Sequence, residues 1–305
     1  MIGVPGVPPE FLAVRSYVAL DRGLYAKYAG GDATVSLEPF DTDQAEMQAV
    51  ESGQVALAWV PTPAALAEIA RGEPLVAIEG MDTPDWEIGS TDPSITSCGE
   101  LKGQTIGIDS VGGARYDALV AMLAACGLSI HDVNTVTFPG DAGMNAQIAG
   151  QLTLDVEHYD EATQVEAMGK GVTIVERLAD VDPDEHFEML VTTEDALAAH
   201  RALYVKVLEG DIAATRWLDT SSHLTAAAGI GQITGETPAV VAAAISHYVG
   251  AGWWNVGTAG LSPARIAGTN ALDVKLGLIP SGSRALSFAN VTDTSLWQAA
   301  RRALR

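Results

Sequence analysis

The sequence predicts an α/β protein of two lobes, each a mostly parallel β-sheet flanked by helices. Three observations favour this fold class. The chain has 305 residues, of which 48% are hydrophobic, and this is more than one core usually holds. Short apolar runs alternate with helix-like stretches, an order typical of parallel sheets with crossover helices. A stretch rich in Asp, Pro, Ser and Thr, residues 80–99, then separates this series from a second one.

The first series occupies about the first 80 residues. Residues 34–40 alternate between apolar and polar side chains, which indicates a strand. Asp41 and Asp43 follow it as candidate N-caps of a helix that ends at Ser52-Gly53. The remaining predicted elements are strands at 2–4, 55–60 and 75–79 and helices at 10–28 and 64–71.

The second series has the same rhythm, and the rest of the chain is mostly helical. A strand at 187–192 leads back towards the first lobe. We therefore predict that residues 1–82 and 192–305 form lobe one and that residues 83–191 form lobe two. The other predicted strands are 104–109, 135–138, 152–156 and 172–175, and the helices are 114–125, 142–149, 196–208, 212–218, 238–248, 263–276 and 296–304.

The charge excludes some partners. The formal net charge is −22, so neither nucleic acid nor an anionic membrane surface is an expected partner; the same acidity also serves solubility.

No segment reaches the roughly 18 apolar residues that span a bilayer. No signal peptide is visible, so we expect a cytoplasmic protein if Met1 is native and an extracytoplasmic one if a signal was trimmed. We expect a monomer.

The two cysteines carry little information. Cys98 lies in a polar loop and Cys126 in an apolar run. A disulfide between them is open, because no spacing argues for it, and neither shows a CxxC-type spacing. No His, Cys and Asp cluster has ligand spacing, so the sequence predicts no metal and no cofactor.

A glycine-bearing turn follows the first strand of the second series. After the strand that ends at Asp109 come Ser110, Gly112 and Gly113, and a helix begins near Ala114. Glycines admit a close ligand, and a helix N-terminus favours a carboxylate, sulfonate or phosphate. Arg115 could clamp such an anion, or it could be a surface residue after an ordinary turn.

Four stretches together resemble the sulfonate, taurine, nitrate and thiamine-pyrimidine group of ABC-importer solute-binding proteins. Residues 19–28 are similar to the group's A-x-D-x-G-L-Y-x-K helix, and residues 50–58 to L-x-S-G-x-V-D-x-A. Residues 101–108 are similar to L-K-G-K-x-I-G-V, and residues 119–155 to a pattern that ends in G-x-V-D. The likeness covers about residues 1–210.

The resemblance implies a type II periplasmic-binding-protein fold with the ligand between hinged lobes, on loops at the C-terminal ends of strands. The implied function is capture of one small, partly planar and anionic organic molecule for an ABC-importer permease. We expect the lobes to close on it about a hinge. The candidate ligand contacts are Phe11, Asp41, Thr42, Trp59 and Met81 in lobe one, and Ser110, Gly112, Gly113, Arg115, Tyr116, His158 and Tyr159 in lobe two.

Several positions keep a second interpretation. Ala56 replaces the group's usual Asp, and residues 156–160 depart from its apolar continuation. His158 is either a ligand contact or a loop histidine. Trp59 either stacks on a planar ligand or fills the core, and Met81 has the same two possibilities.

A cytosolic enzyme on the same fold is the alternative function. The group resembles a thiamine-pyrimidine synthase, desulfinases and some decarboxylases or lyases. The acid–base candidates in this chain are His158, Asp160, Glu188 and His186, although no spacing pairs them. The synthase is disfavoured because its cysteine-rich iron motif is absent.

Overall fold

The computed structural model of the chain describes residues 1–30, 33–280, 282–283 and 286–305. Its ten strands are β1 Ile2–Pro5, β2 Leu37–Phe40, β3 Leu57–Pro61, β4 Leu75–Met81, β5 Glu87–Ser90, β6 Thr105–Ile108, β7 Asn134–Thr137, β8 Leu154–Glu157, β9 Thr173–Arg177 and β10 Glu188–Thr193. Its helices are α1 Val14–Asp21, α2 Leu24–Ala29, α3 Asp43–Glu51, α4 Thr62–Arg71, α5 Ala114–Ala125, α6 Ala142–Ala149, α7 Tyr159–Ala167, α8 Leu178–Val181, α9 Glu194–Leu218, α10 Leu224–Gly231, α11 Pro238–Ala251, α12 Pro263–Leu276, α13 Phe288–Val291 and α14 Ser295–Ala303.

The strands form two five-stranded sheets with the same internal plan. The first has the order β2-β1-β3-β10-β4 and the second β7-β6-β8-β5-β9. In each, the first three strands are parallel and the fourth is antiparallel to its neighbours. Strand β3 is buried along its whole length, as expected for a strand in the middle of a covered sheet. The predicted α/β architecture with two sheets is confirmed.

The antiparallel strands, β5 and β10, each follow a chain segment that crosses from one sheet to the other. Strand β5 follows the last strand of the first series, and β10 follows the last strand of the second sheet. The crossovers touch, because the Leu178 N–H donates to the Trp86 carbonyl over 2.9 Å. A lobe boundary at residue 191 would cut β10, whereas this strand pairs in the first sheet over its full length.

Strand β5 lies inside the stretch that the sequence analysis left as an irregular connection. Its sequence Glu-Ile-Gly-Ser carries no alternation, yet all four residues are buried between β8 and β9. The order of this segment therefore comes from distant partners and not from local propensity.

The helices differ from the predicted ones in several places. The helix expected at 10–28 is broken at Gly23, which adopts φ 64°, a conformation that favours glycine. The helices expected at 196–208 and 212–218 are one helix, α9, with a kink at His200. Helices α7, α8, α10 and α13 were not predicted. Within the described residues, no helix combines the length and apolar character needed to cross a membrane.

Cys98 and Cys126 form a disulfide with their Cα atoms 5.5 Å apart. The bond joins the segment before β6 to the C-terminal end of α5. These two cysteines and Glu176 are the one group in the described part of the chain with metal-ligand spacing, and both sulfur atoms are used by the disulfide.

Candidate functional site

The N-terminus of α5 lies between the two lobes and already contacts carboxylates of the chain itself. The Ala114 N–H donates to Asp43 Oδ2 over 2.8 Å, a contact between the second lobe and the first. The Asp109 carboxylate fills the space where a Cβ of Gly113 would stand. Gly112 makes the turn with φ 80°. The glycine-bearing turn before α5 is therefore present, and its Ala114 and Ser110 N–H groups donate to Asp43 and Asp109.

Arg115 is held inside the second lobe. Its Nη1 and Nη2 donate to the two oxygens of Glu161, both over 2.8 Å, and Nη1 also donates to the Val156 carbonyl over 2.6 Å. The guanidinium lies 5.1 Å from the ring centroid of Trp86, at cation–π distance. Although burial opposes it, Arg115 lowers the pKa of Glu161. The first lobe approaches this cation at Glu10, whose Oε1 is 3.8 Å from Nη2.

Four carboxylates of the first lobe face this region, and we call Glu10, Asp43, Glu46 and Glu188 the acidic wall. Thr42 caps α3 by accepting from the Ala45 N–H over 3.2 Å, and this places Asp43 and Glu46 on the first turn. Helix α3 packs against β1, β3 and β10. Glu188 begins β10 and pairs with Pro61 and Met81 at the ends of β3 and β4.

The acidic wall is largely withdrawn from water. Glu46 and Glu188 are 1% and 2% exposed, and the Glu10 side chain is 14% exposed. Burial, followed by the charges of neighbouring carboxylates, raises the pKa of Asp43, Glu46 and Glu188 well above their usual values. Burial also raises the pKa of Glu10, and Arg115 partly offsets it.

A second group of polar side chains joins α11 to the second lobe beside the crossover segments. The Tyr248 hydroxyl donates to Asp85 Oδ2 over 2.6 Å and also contacts Asp160 Oδ1. Asp85 also accepts from the Tyr159 N–H over 3.1 Å, and its Oδ2 lies 3.6 Å from His158 Nδ1.

The two carboxylates around Tyr248 have opposite pKa shifts. Despite burial, the neighbouring imidazoles of His158 and His247 lower the pKa of Asp85 to about 2. Burial and the charge of Glu161 raise the pKa of Asp160 well above its usual value. One hydroxyl proton cannot serve two carboxylates, so an ionised Asp85 and a protonated Asp160 satisfy the geometry.

Aromatic rings continue from this group towards the acidic wall. His158 stacks on Trp86 with ring centroids 3.7 Å apart, and Tyr248 stacks on Trp253 at 3.8 Å. Phe11 packs against Tyr248 at 5.1 Å. These rings give the interface between the lobes flat apolar surfaces beside buried carboxylates.

Two cavities border the interface. One of about 300 Å³ lies at the Asp43 side and includes Gln44, Pro63, Gly112 and Asp117 in its lining. The other, of about 380 Å³, lies beside the crossover segments, with Asp85, Trp86, Tyr159, His247 and Tyr248 among its lining residues. Both are at the small end of the range for sites that take a small organic molecule.

The structure separates the predicted ligand contacts of the first lobe. Phe11 lies at the interface, whereas Asp41 is exposed and Thr42 caps α3. Trp59 lies in the first-lobe core with the guanidinium of Arg15 5.2 Å from its ring centroid, and Met81 is fully buried.

The predicted contacts of the second lobe lie closer together. Gly112, Gly113 and Arg115 surround the start of α5, and Ser110 is partly buried beside them with no partner for its hydroxyl oxygen. Tyr116 packs against the core. His158 is buried under Trp86, and Tyr159 stacks on His247 at 3.8 Å.

The enzyme candidates do not form one group. His158 and Asp160 are linked through Asp85 and Tyr248, whereas Glu188 belongs to the acidic wall. His186 lies in the second crossover, with Nδ1 2.8 Å from Thr62 Oγ1 and Nε2 2.8 Å from the Gly260 carbonyl. Burial lowers the pKa of His186 to about 4. Both of its nitrogens are occupied, so it holds the crossover in place.

Sequence reasoning missed several residues that build this interface, namely Glu10, Asp43 as a contact, Glu46, Asp85, Trp86, Glu161 and Tyr248. A signal existed for Asp43 and Glu46, because acidic side chains on the first turn of a helix lie at a strand end of the sheet. Glu161 had none, because no helix was predicted after the strand at 152–156, whereas α7 begins at Tyr159.

Comparison with known proteins agrees with this architecture. The family profile described as NMT1/THI5 like matches residues 13–217. No curated protein matches the chain in sequence.

Solved structures resemble the chain over nearly its whole length. The alkanesulfonate-binding protein SsuA from Xanthomonas axonopodis pv. citri, bound to MOPS, is 17% identical over 96% of this chain and 97% of that one, with a TM-score of 0.76. The nitrate-binding protein NrtA from Synechocystis PCC 6803 is 13% identical over 100% of this chain and 88% of that one, with a TM-score of 0.76. A ligand-binding component of an ABC-type import system from Staphylococcus aureus, with zinc bound, is 14% identical, covering 98% and 97%, at 0.75. The type II periplasmic-binding-protein fold is thereby confirmed.

Proposed function

The chain belongs to the NMT1/THI5-like family, and we propose that it is a solute-binding protein whose lobes close over one small, partly planar organic molecule for delivery to an ABC importer. The observation that carries the proposal is the contact between Asp43 and the Ala114 N–H. It brings the strand ends of both sheets together around buried polar groups, where ligands of open α/β sheets bind.

The crossover segments supply the hinge of this proposal. Two chain segments between the sheets, at residues 82–86 and 178–187, allow the lobes to rotate while each sheet stays intact. We take the first lobe as residues 1–82 with the chain from Glu188 onwards, because β10 pairs in the first sheet. This moves the predicted boundary at 191/192 by a few residues.

The stacked rings favour a partly planar solute. Trp86, His158, Tyr248 and Trp253 lie buried near the interface and stack on one another in pairs, and we expect such rings to accept a flat group when the lobes open. An anionic end, which the sequence favoured, meets two obstacles. Arg115 is neutralised by Glu161 within its own lobe, and the N-terminus of α5 contacts Asp43 and Asp109. An anion would have to displace a carboxylate of the chain, so the proposal does not include a negative charge.

The disulfide supports a location outside the cytoplasm. Bonds such as Cys98–Cys126 persist mainly in oxidising compartments. An extracytoplasmic binding protein would meet its permease there and act as a monomer, one solute per chain.

Ligand-induced closure is the property to test. Thermal-shift screening of planar amines, carboxylates, sulfonates and pyrimidines identifies a stabilising compound, and small-angle X-ray scattering then measures the radius of gyration with and without it. We expect the compound to decrease the radius of gyration of Asp43→Ala, whose resting state is more open. A stabilising compound that leaves the radius of both wild type and Asp43→Ala unchanged contradicts hinge closure.

An enzyme is the second candidate, and one observation favours it. Both ring nitrogens of the buried His158 lack a hydrogen-bond partner, while Asp85 lies 3.6 Å from Nδ1, an arrangement that suits a general base. Mass spectrometry of the stabilising compound after prolonged incubation distinguishes the two functions. A binding protein returns the compound unchanged, whereas a wild-type enzyme converts it and His158→Ala does not.

A further inference from the structure

The acidic wall brings together more buried carboxyl oxygens than the hydrogen bonds around it satisfy, namely both oxygens of Glu46 and one of Glu188. Glu188 is 2% exposed, and its Oε2 has no hydrogen-bond partner. The charges that act most strongly on it belong to Asp43, Glu46 and Glu10, all of the same sign. Buried carboxylates are normally paired with a cation or with several donors. A buried carboxylate without such a partner, at an interface between lobes, indicates that a bound molecule supplies the missing donor or positive charge.

Arg115 does not supply that partner. Its two terminal nitrogens are committed to Glu161 and Val156, and it approaches the wall no closer than 3.8 Å, at Glu10. The Ala114 N–H satisfies one oxygen of Asp43 and none of the unpartnered oxygens of Glu46 and Glu188. Closure of the lobes over an empty wall therefore costs free energy through desolvation.

We propose, building on the solute-binding function above, that the solute is an organic cation whose charged nitrogen group binds the acidic wall between Glu10 and Glu188. Carboxylates and aromatic faces together recognise ammonium, amidinium and guanidinium groups. Phe11 follows Glu10 in the chain and packs against Tyr248, so an aromatic pair lies next to the wall. The nitrogen of a planar amine or amidine would donate hydrogen bonds to the carboxylates, and its flat part would pack against the aromatic rings.

A charge-matched set of probes tests this inference. Benzamidine, a planar cation, is compared with benzamide, benzoate and benzenesulfonate, which have similar shape but no positive charge. Binding is measured by isothermal titration calorimetry on the full chain at millimolar probe. We expect benzamidine to bind and the neutral and anionic probes to bind at least about tenfold more weakly, because they leave the wall unpaired.

Single substitutions then assign the binding to the wall. Glu188→Gln and Glu46→Gln should each weaken benzamidine binding about tenfold or more. Each replaces a buried carboxyl group that has an unpartnered oxygen by an amide of similar volume, so we expect both variants to fold. Glu157→Gln is the matched control, because Glu157 is equally buried with both oxygens unpartnered but lies in the second sheet. It should leave benzamidine affinity within about twofold.

The outcomes separate this inference from the function on which it rests. Binding of benzoate or benzenesulfonate in preference to benzamidine overturns the cation inference and leaves a solute-binding protein. Zinc chloride and magnesium chloride are each tested alone. If either metal binds, if Glu188→Gln abolishes that binding and if benzamidine does not bind, the wall is a metal site and the cation inference is overturned. If none of the probes binds at millimolar concentration, the cation inference is also overturned. The scattering experiment on wild type and Asp43→Ala then tests the solute-binding function separately.

Discussion

Arg115 and Glu161 face each other through two parallel hydrogen bonds of 2.8 Å, and both residues lie in the second lobe. The arrangement has the bidentate geometry of a strong charge-assisted pair. It is independent of hinge motion, because the start of α7 carries the carboxylate and α5 carries the cation within one lobe. We therefore assign this pair to the stability of the second lobe.

Arg115→Ala should lower the free energy of unfolding by about 3–5 kcal/mol, because it leaves the buried Glu161 charge without its partner. Urea denaturation monitored by tryptophan fluorescence measures this loss. Arg71→Ala is the control, since the Arg71–Glu68 pair is exposed and worth at most about 1 kcal/mol. Equal losses for the two variants would mean that the buried pair contributes no more than a surface one.

Asp43→Ala should shift the resting protein towards an open state, because it removes the acceptor of the Ala114 N–H between the lobes. Asp43→Asn keeps an oxygen acceptor and should stay closer to wild type. Small-angle scattering without ligand measures the difference as a larger radius of gyration. Asp41→Ala, at an exposed position two residues earlier, should have no effect; an equal expansion there would refute the role of Asp43.

Tyr248→Phe should destabilise the protein by about 1–3 kcal/mol, because Asp85 and Asp160 both lose a buried hydroxyl partner. Thermal and urea denaturation measure the change. Tyr204→Phe is the matched control, since Tyr204 is equally buried but its hydroxyl makes only long contacts, 3.3 Å to the Ala56 carbonyl and 3.5 Å to Thr192 Oγ1. A smaller loss at Tyr248 than at Tyr204 would contradict the linkage through Tyr248.

Stability should fall as pH rises from about 5 to about 8, the opposite of ordinary acid denaturation. Burial raises the pKa of Asp141 to about 9, of Asp155 to about 8 and of Glu236 to about 10. The folded state therefore holds protons that the unfolded state has released above its ordinary carboxyl pKa. Each such group removes about 1.4 kcal/mol per pH unit until its folded pKa is reached.

Urea denaturation at several pH values in this window measures the slope. Asp155→Asn should flatten it, because the amide does not titrate, whereas Asp41→Asn at an exposed position should leave it unchanged. Asp85 acts in the other direction, since its pKa of about 2 adds stability that is lost only in strong acid. A free energy of unfolding that rises between about pH 5 and about pH 8 would contradict the prediction.

Local patterns in the sequence predicted every described strand except β5, and they predicted the turn before α5. The strand that ends at Ile108, the glycines at 112 and 113 and the apolar helix after them lie in one continuous stretch, residues 105–125. Arg115 shows where such reasoning stops. Its partner Glu161 is distant in the chain, and the choice between a ligand and an internal carboxylate depends on tertiary packing alone. Glu188 shows the same limit, because only the pairing of β10 brings it beside Asp43.

The interleaved strand order also constrains how the chain is made. Strand β10 stands between β3 and β4, so β4 has no neighbour in its sheet until residue 193 has left the ribosome. The strands of the second sheet are contiguous, from Glu87 to Arg177, and are complete before that moment. During synthesis all strands of the second sheet are therefore available first. The first sheet can be completed only after β10, which follows the second sheet in the chain, has been made.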